Sequence, residues 1–332
     1  MNRVVKLAER PKGMPGPSTF RVEEEPIPEP DEGEFLVRIE YVSLDPAMRG
    51  WIAAGRSYVE PVAIGGVMRA FAAGIVEASL HPDYHAGDAV TGMFGVRQYA
   101  ISDGSERVLK VDADRAPLPR WIGGLGMPGH TAYFGLTEIG RPKPGETVCV
   151  AAAAGAVGSI VGQIAKIYGC RAVGIAGGEN KCRHVVDELG FDACVDHKAD
   201  DFAGALRQAT PDGIDIYFEN VGMPILDHVL ARMNMWGRIP VCGLIAHSND
   251  TEPRPGPTNI RSILVNRLTV RGFLVFDFAD RLPEAVDKLG RWHADGRLKM
   301  REDVREGGVD AFPQLLGELY TGGNFGKLVL EV

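Results

Sequence analysis

Small residues at a regular spacing follow an apolar run in the middle of the chain. The run, Thr147–Ala151, is short and contains β-branched residues, and Ala153, Gly155 and Gly158 come directly after it. This is the spacing of the dinucleotide-binding fingerprint with alanine in the first place, because small residues permit a tight turn close to a pyrophosphate. A helix predicted over 157–168 would direct its free N–H groups at that pyrophosphate, although the same spacing also fits a turn without a ligand. The turn residues expected to bind the cofactor are Gly155, Ala156, Val157 and Gly158.

The segment after the next predicted strand indicates which dinucleotide binds. Arg171–Ala176 ends in Gly177-Gly178, without the Asp or Glu that would bind a ribose 2′-hydroxyl. Lys181 and Arg183 follow, and two cations suit a 2′-phosphate, so we predict NADP(H) rather than NAD. Two alternatives stay open at this point: both cations on the exposed face of the following helix, or Glu179 binding a 2′-hydroxyl.

Composition limits the class of protein. With 332 residues, 45% of them hydrophobic, the chain is long enough for two packed domains. Its net charge is −8 and it has no block of like charges, which argues against a nucleic-acid or anionic-membrane partner. The five cysteines are scattered, so we expect no disulfide framework or structural zinc site. The first 14 residues lack an apolar run, so we also expect no secretory signal, and a reducing, cytoplasmic location.

The sequence pattern of the chain changes near residue 121. Before it, short β-branched runs alternate with Pro, Gly and Asp clusters, which is typical of an irregular β-barrel or sandwich. After it, strands and helices alternate, so the fold class predicted for this part is α/β with a doubly wound parallel sheet. We predict strands at 171–176, 193–196, 214–219, 238–242 and 268–275, and helices at 180–189, 199–209, 224–233 and 282–295. The tail is expected to return to the first domain, giving domains 1–122 with 300–332, and 123–299.

Seven segments in order resemble one family. They are Leu44-Asp45-Pro46-Ala47-Met48-Arg49-Gly50, Ser57-Tyr58-Val59, Gly126-Met127-Pro128-Gly129, residues 152–159, Phe218-Glu219-Asn220-Val221-Gly222, Arg238-Ile239-Pro240-Val241-Cys242-Gly243 and Gly323-Asn324-Phe325-Gly326-Lys327. The chain is similar to zinc-independent medium-chain dehydrogenases/reductases, in particular the prostaglandin reductase and leukotriene 12-hydroxydehydrogenase branch with its NADPH-dependent curcumin and alkenal reductases. The resemblance implies a GroES-like first domain, a Rossmann second domain and a homodimer, for which the edge strand at 268–275 is a plausible pairing surface.

The resemblance also implies roles for single residues. Lys181 would neutralise the 2′-phosphate beside His197, where the family usually has tyrosine. Met127 would border the nicotinamide, and the segment 273–278 would form a wall shared by nicotinamide and substrate. Two further departures, Ala47 and Ser248, replace tyrosines beside the substrate and imply a wider site. The remaining residues expected to bind the cofactor are Asn220, Cys242, Gly243, Ser248, Phe273, Val275 and Asn324.

The chemistry expected at such a site needs no metal. Residues 1–148 contain no cysteine, and His81, His85 and His130 lack a ligand-like pattern. The resemblance implies hydride transfer from NADPH to the β-carbon of a small apolar α,β-unsaturated ketone or aldehyde. Tyr58 is our first candidate for the donor to the developing enolate, and a wall residue is the alternative. The side chains expected to line the substrate pocket, unless they belong to the core, are Met48, Trp51, Met127, Phe276 and Phe278.

Two other functions remain compatible with these residues. Quinone reduction would use the same cofactor site and a similar apolar cleft. A protein that binds NADPH without turnover, as a sensor or structural component, would explain the missing tyrosines at Ala47 and Ser248.

Overall fold

The structure is a computed structural model that describes residues 1–105 and 107–332. Its contacts divide the chain into two compact units, the first formed by Met1–Gly123 with Glu302–Val332 and the second by Gly124–Arg301. The assignment of the first unit to the substrate and of the second to the cofactor stays a prediction.

The elements of regular structure are numbered in chain order. The strands are β1 (Asn2–Leu7), β2 (Phe20–Glu25), β3 (Phe35–Ser43), β4 (Ala72–Ser79), β5 (Ala89–Gly92), β6 (Tyr99–Ser102), β7 (Leu109–Lys110), β8 (Thr147–Ala151), β9 (Arg171–Ala176), β10 (Ala193–Asp196), β11 (Ile214–Phe218), β12 (Met233–Val241), β13 (Thr269–Gly272), β14 (Glu302–Arg305) and β15 (Lys327–Glu331). The helices are α1 (Met48–Trp51), α2 (Leu118–Trp121), α3 (Met127–Phe134), α4 (Gly158–Ile167), α5 (Glu179–Asp187), α6 (Phe202–Ala209), α7 (Ile225–Leu230), α8 (Arg261–Val265), α9 (Leu282–Ala294) and α10 (Phe312–Thr321).

The first unit is built on a mostly antiparallel sheet. Its seven strands run in the order β14-β15-β3-β4-β5-β7, with β6 also pairing with β3, while β1 and β2 form a separate pair. The tail strand β15 lies antiparallel to β3 with Val329 opposite Ser43, so the tail pairs with a strand of the first unit. Lys327 in this strand is fully buried and forms an ion pair with Asp45 at 2.9 Å, which ties the tail to the segment before α1.

The second unit contains a six-stranded parallel sheet in the order β10-β9-β8-β11-β12-β13. Strand β8 is buried along its whole length, as its apolar sequence requires when helices cover both faces. The order runs outward from β8 to β10 on one side and from β11 to β13 on the other. The prediction of an α/β fold with a doubly wound parallel sheet is confirmed.

Several predicted limits were wrong: the strand predicted over 238–242 is Met233–Val241, and the helices predicted over 199–209 and 224–233 are Phe202–Ala209 and Ile225–Leu230. Two further differences have a local cause. The strand predicted over 268–275 is only Thr269–Gly272, because the backbone N–H of Leu274 donates to the Asp277 carboxylate at 3.1 Å and a 3-10 turn, Val275–Arg281, follows. The helix predicted over 180–189 begins at Glu179 instead, because Gly178 at φ +95° makes the turn out of β9 directly before it. None of the helices in the described part of the chain has the length and the apolar composition of a membrane span.

Candidate functional site

Most of the residues predicted to bind the cofactor lie at one edge of the parallel sheet. The strands β8 to β12 all run in the same direction, so the loops that leave their carboxyl ends meet at a common edge. Each of these loops carries part of the predicted set. The members are Gly155 to Gly158 after β8, Lys181 after β9, His197 after β10, Asn220 after β11, and Cys242 with Gly243 after β12.

The turn after β8 is closed by its own backbone. The N–H of Gly155 donates to the carbonyl oxygen of Ala152 at 2.9 Å, and Ala152 has a positive φ of 53°. A Cβ added at Gly158 would lie 2.3 Å from that same carbonyl oxygen, so only glycine lets α4 start this close to the strand. The turn thereby brings the amino end of a ten-residue helix to the sheet edge, where its N–H groups and dipole favour an anion.

Asn220 lies between the ends of β8 and β11, where the strand order of the sheet reverses. Its side-chain amide donates to the carbonyl oxygen of Ala151 at 2.8 Å and so links the end of β11 to the end of β8. Open α/β sheets bind their ligands in the crevice at this position. Asn220 therefore acts on the shape of the crevice as well as being a candidate ligand contact.

A buried carboxyl fixes the loop that carries Asn220. One oxygen of Glu219 accepts the N–H groups of Val221 and Gly222 at 2.6 and 2.9 Å, and its backbone oxygen accepts those of Cys242 and Gly243 at 2.9 and 3.2 Å. The other carboxyl oxygen has no hydrogen-bond partner among the described residues, and burial raises the pKa of this carboxyl. Burial also raises the pKa of the Cys242 thiol to about 12, so Cys242 contributes shape rather than a nucleophile.

Three basic side chains gather beyond β9 and β10. A Cβ added at Gly177 would lie 2.9 Å from His197 Nε2 and 3.1 Å from Lys198 Cε, so both side chains lie over Gly177. Burial lowers the pKa of His197; Asp196 opposes this, and the charges of Lys198 and Lys181 add to the lowering. Lys181 is therefore close enough to His197 to act on it. Sequence reasoning missed Lys198, although it follows His197 directly after the strand.

Arg183 and Glu179 do not belong to this basic cluster. They form an ion pair with each other at 2.8 Å on the outer face of α5, and their side chains are 60% and 85% exposed. The exposed-face alternative holds for Arg183, and its role as a phosphate ligand is not supported.

The aromatic residues of the predicted wall are partly engaged in packing. Phe273 is buried with its ring 6.1 Å from that of Phe218, and Phe278 stacks on Phe134 at 4.7 Å. Val275 and Phe276 are half-buried in the 3-10 turn that follows β13, and Met127 is half-buried at the start of α3. As cofactor or substrate contacts, these residues stay predictions.

Ser248 follows a short turn whose last residue, His247, is held in place. The His247 Nε2 atom accepts the N–H of Met223 at 2.9 Å, and its Nδ1 lies 3.3 Å from the Asp250 carboxylate. His247 thus positions the loop after β11. Ser248 itself is half-buried, and its predicted cofactor contact stays a prediction.

In the first unit, Tyr58 is half exposed and anchored through its oxygen. The indole nitrogen of Trp51 donates to that oxygen at 3.0 Å. Trp51 and Met48 are 1% and 0% exposed and lie in the core of this unit, so their predicted contact with substrate is not supported. Asn324 donates to the carbonyl oxygen of Gly326 at 2.9 Å, which shapes the turn before β15.

Over residues 1–105 and 107–332, no three His, Cys, Asp or Glu side chains come together as a metal site would require. The residues present do not fit a zinc ion held by protein ligands.

Two family descriptions match this chain. Residues 3–111 match the N-terminal domain of oxidoreductase, and residues 156–291 match the family described as zinc-binding dehydrogenase. Together they span more than half of the chain, and both units have the expected sheets. The chain belongs to the medium-chain dehydrogenase/reductase family of oxidoreductases.

Individual relatives narrow the branch. The chain is 48% identical over 337 residues to the NADPH-dependent curcumin reductase of Escherichia coli (strain K12), covering 100% of this chain and 97% of that protein. It is 40% identical to a 2-alkenal reductase (NADP(+)-dependent) of Nicotiana tabacum, covering 92% and 89%. Among solved structures, CurA from Vibrio vulnificus in complex with NADPH superposes with a TM-score of 0.94 at 44% identity, covering 99% of both chains. These likenesses support the zinc-independent reductase branch.

Proposed function

We propose that this protein reduces the carbon–carbon double bond of α,β-unsaturated ketones or aldehydes with NADPH. The observation that carries the proposal is the joint position of the small-residue turn and of the basic cluster formed by Lys181, His197 and Lys198 at one sheet edge. The first suits a diphosphate and the second a 2′-phosphate. The relatives support the same cofactor, which is NADPH.

The chain's own residues would hold the cofactor by three kinds of interaction. The backbone of Gly155 to Gly158 and the amino end of α4 would bind the diphosphate. Lys181 and Lys198 would bind the 2′-phosphate as charged donors, with the neutral His197 ring as a further hydrogen-bonding partner. The loop around Asn220, held by the buried Glu219 carboxyl, would shape the crevice between them.

NADPH, when bound, supplies the hydride that reduces the β-carbon of the substrate. We assign Tyr58 to the opposite end of the enone. The phenol would donate a hydrogen bond to the enolate oxygen as negative charge develops there, and a proton then reaches the α-carbon. The hydrogen bond from Trp51 to the phenol oxygen fixes the direction of that donor. The substrate class is that of a small, apolar enone or enal.

We also propose that the protein works as a homodimer joined along β13. All four residues of this edge strand are exposed, and it pairs with β12 on one side. Nearby apolar side chains are exposed as well, since Trp236 and Leu264 are 65% and 78% accessible. A second copy pairing with this edge would cover both the strand and the side chains.

A cytoplasmic location fits the cysteine chemistry. All five cysteines are free thiols in the structure. Thiols persist where the compartment is reducing, so we propose that the protein acts there.

The test of the proposed function is a screen of NADPH oxidation with enals, enones and quinones, followed by identification of each product. Saturation of the carbon–carbon bond supports the proposal. Hydroquinone formation with no reduction of any enone or enal favours the quinone reductase. Binding of NADPH without any turnover favours a sensor or structural role.

A further inference from the structure

Two cysteines of the second unit face each other between a helix and the sheet. Cys182 lies in the first turn of α5, where its N–H donates to the carbonyl oxygen of Gly178 at 3.2 Å. Cys194 lies in the neighbouring strand β10, and the two thiols are near enough for each to change the pKa of the other.

The packing around Gly174 places the Cys194 sulfur beside the face of α5 that packs on the sheet. Cys194 is paired with Gly174 of β9. A Cβ added at Gly174 would lie 3.2 Å from Cys194 Sγ and 2.9 Å from a methyl carbon of Val185. Val185 follows Cys182 by one helical turn, so the two residues share the face of α5 that packs on the sheet. The absence of a side chain at Gly174 leaves the space that the Cys194 sulfur occupies.

The two thiols differ in acidity. Contact with Cys194 lowers the pKa of Cys182, while the same contact and burial raise the pKa of Cys194. Both residues are partly accessible rather than fully buried. Cys182 is the thiol that forms a thiolate more readily, and the thiolate is the form that reacts with oxidants.

The pair is connected to the predicted 2′-phosphate pocket. Lys181 directly precedes Cys182, and Asp196 follows Cys194 after a single intervening residue. The Asp196 carboxylate accepts the N–H groups of Gly178 and Lys198 at 2.8 and 2.9 Å, so it holds the turn into α5 and the segment carrying Lys198. A shift of either thiol would therefore move the residues that bind the phosphate.

We propose that Cys182 and Cys194 form a reversible disulfide on exposure to hydrogen peroxide, and that this disulfide weakens NADPH binding by displacing Lys181. A disulfide requires the sulfur atoms to approach to about 2.05 Å. Both thiols are free in the structure, so forming the bond would draw the first turn of α5 and strand β10 together. The loss of NADPH affinity rests on the proposed function, whereas the formation of the disulfide does not.

The chemistry balances with one peroxide. The Cys182 thiolate attacks one peroxide oxygen, an S–O bond forms, the O–O bond breaks, and the released hydroxide takes up the thiol proton to give water. The Cys194 sulfur then attacks the Cys182 sulfur, the S–S bond forms, and the second oxygen leaves as water with the Cys194 proton. The two thiols are oxidised by two electrons in total and the peroxide is reduced.

The experiment compares the reduced and peroxide-treated full-length protein. Peptide mapping is expected to find Cys182 linked to Cys194, and the Kd for NADPH should rise on the order of tenfold, as the loss of one charge-assisted contact would produce. The Kd for NADH should change much less, and dithiothreitol should restore the starting values. Cys182→Ser and Cys194→Ser should each abolish the change. The matched control Cys170→Ser should respond like the wild type, because Cys170 lies after α4 and contacts Lys143 instead.

Three results would overturn the inference: no Cys182–Cys194 link in the peptide map, a link without any change in NADPH affinity, or an undiminished response in the Cys182→Ser variant. A reduced protein that binds neither nucleotide overturns the proposed function together with the predicted loss of affinity. The peptide map still decides the disulfide in that case, so the two failures are distinguishable.

Discussion

The indole nitrogen of Trp51 donates a hydrogen bond to the phenol oxygen of Tyr58 at 3.0 Å, so a core residue orients a half-exposed one. If Tyr58 is the enolate donor, Tyr58→Phe should lower kcat by about a hundredfold, the lower end of what acid catalysis contributes. Trp51→Phe should lower kcat by about tenfold, because the phenol stays but loses its fixed direction. Both variants should keep the NADPH Kd of the wild type in a fluorescence titration.

The matched control for Trp51 is another buried tryptophan of the same unit. Trp121 donates its indole N–H to the carbonyl oxygen of Ala116 at 3.1 Å, away from Tyr58. Trp121→Phe should match Trp51→Phe in packing loss but leave kcat near the wild-type value. Equal loss of kcat in both variants, or unchanged turnover in Tyr58→Phe, would remove Tyr58 from the catalytic assignment.

The basic cluster at the sheet edge leads us to expect that its lysines bind NADPH and not NADH. Lys181→Ala and Lys198→Ala should each raise the Kd for NADPH by roughly tenfold to a hundredfold, as expected for a lost charged hydrogen bond. NADH, which lacks the 2′-phosphate, should bind almost unchanged. Arg183→Ala is the control, because its partner is Glu179 on the exposed face of α5. Isothermal titration calorimetry with both nucleotides measures the affinities of all three variants. An equal loss of affinity for NADPH and NADH in the lysine variants would refute the assigned 2′-phosphate pocket.

The buried histidine of α3 predicts acid sensitivity. Burial lowers the pKa of His130 to about 4, and its Nε2 has no hydrogen-bond partner among the described residues. Between that value and the ordinary pKa of about 6.5, the unfolded chain binds a proton that the folded protein excludes, so stability falls as the pH is lowered through this range. At pH 5 this effect lowers the free energy of unfolding by about 2 kcal/mol relative to neutral pH.

Replacing the imidazole isolates this effect from other groups. Between pH 7 and pH 5, the free energy of unfolding of His130→Phe should fall by about 2 kcal/mol less than that of the wild type, because phenylalanine takes up no proton. Urea denaturation at the two pH values measures this difference. The comparison is between two pH values within each protein, so a constant packing change in the variant cancels. Parallel losses in the two proteins would show that His130 is not the group responsible.

The proposed pairing of two copies along β13 predicts that the protein is a dimer in solution. Leu264→Asp should shift the protein from dimer to monomer in sedimentation experiments at micromolar concentration, because a charge would be buried against the second copy. The control is Leu80→Asp, an exposed leucine of the first unit that is 59% accessible and outside the proposed interface. A monomeric wild type, or a Leu264→Asp dimer as stable as the wild type, would contradict the proposed pairing.

The second unit was predictable from local sequence because its signals are short-range. The strands Thr147–Ala151, Arg171–Ala176 and Ala193–Asp196 have the predicted limits, since each is a short apolar run bounded by turn residues. The end of β13 was not predictable to the residue, because it depends on a side-chain contact from Asp277 to the Leu274 backbone. Helix and strand ends of this kind are decided by capping rather than by periodicity.

The site was predictable only where a motif sets the backbone. The turn from Gly155 to Gly158 follows from small residues alone, whereas the position of Lys198 over Gly177 depends on how two neighbouring strands align. Trp51 was expected to line a pocket, yet it is buried, because an aromatic residue gives the same signal in a core and in a cleft. Cys182 lies on a helix and Cys194 on a strand, and the spacing of the two residues in the sequence gives no sign that they are neighbours.

Hydride transfer from NADPH to the β-carbon of an enone is the step on which the proposed function depends. The most direct measurement supplies NADPH deuterated at the transferred position together with an α,β-unsaturated ketone, and locates the deuterium in the product by NMR. We expect a saturated ketone with deuterium on the β-carbon. An allylic alcohol with deuterium on the former carbonyl carbon, or a product without deuterium, would contradict it.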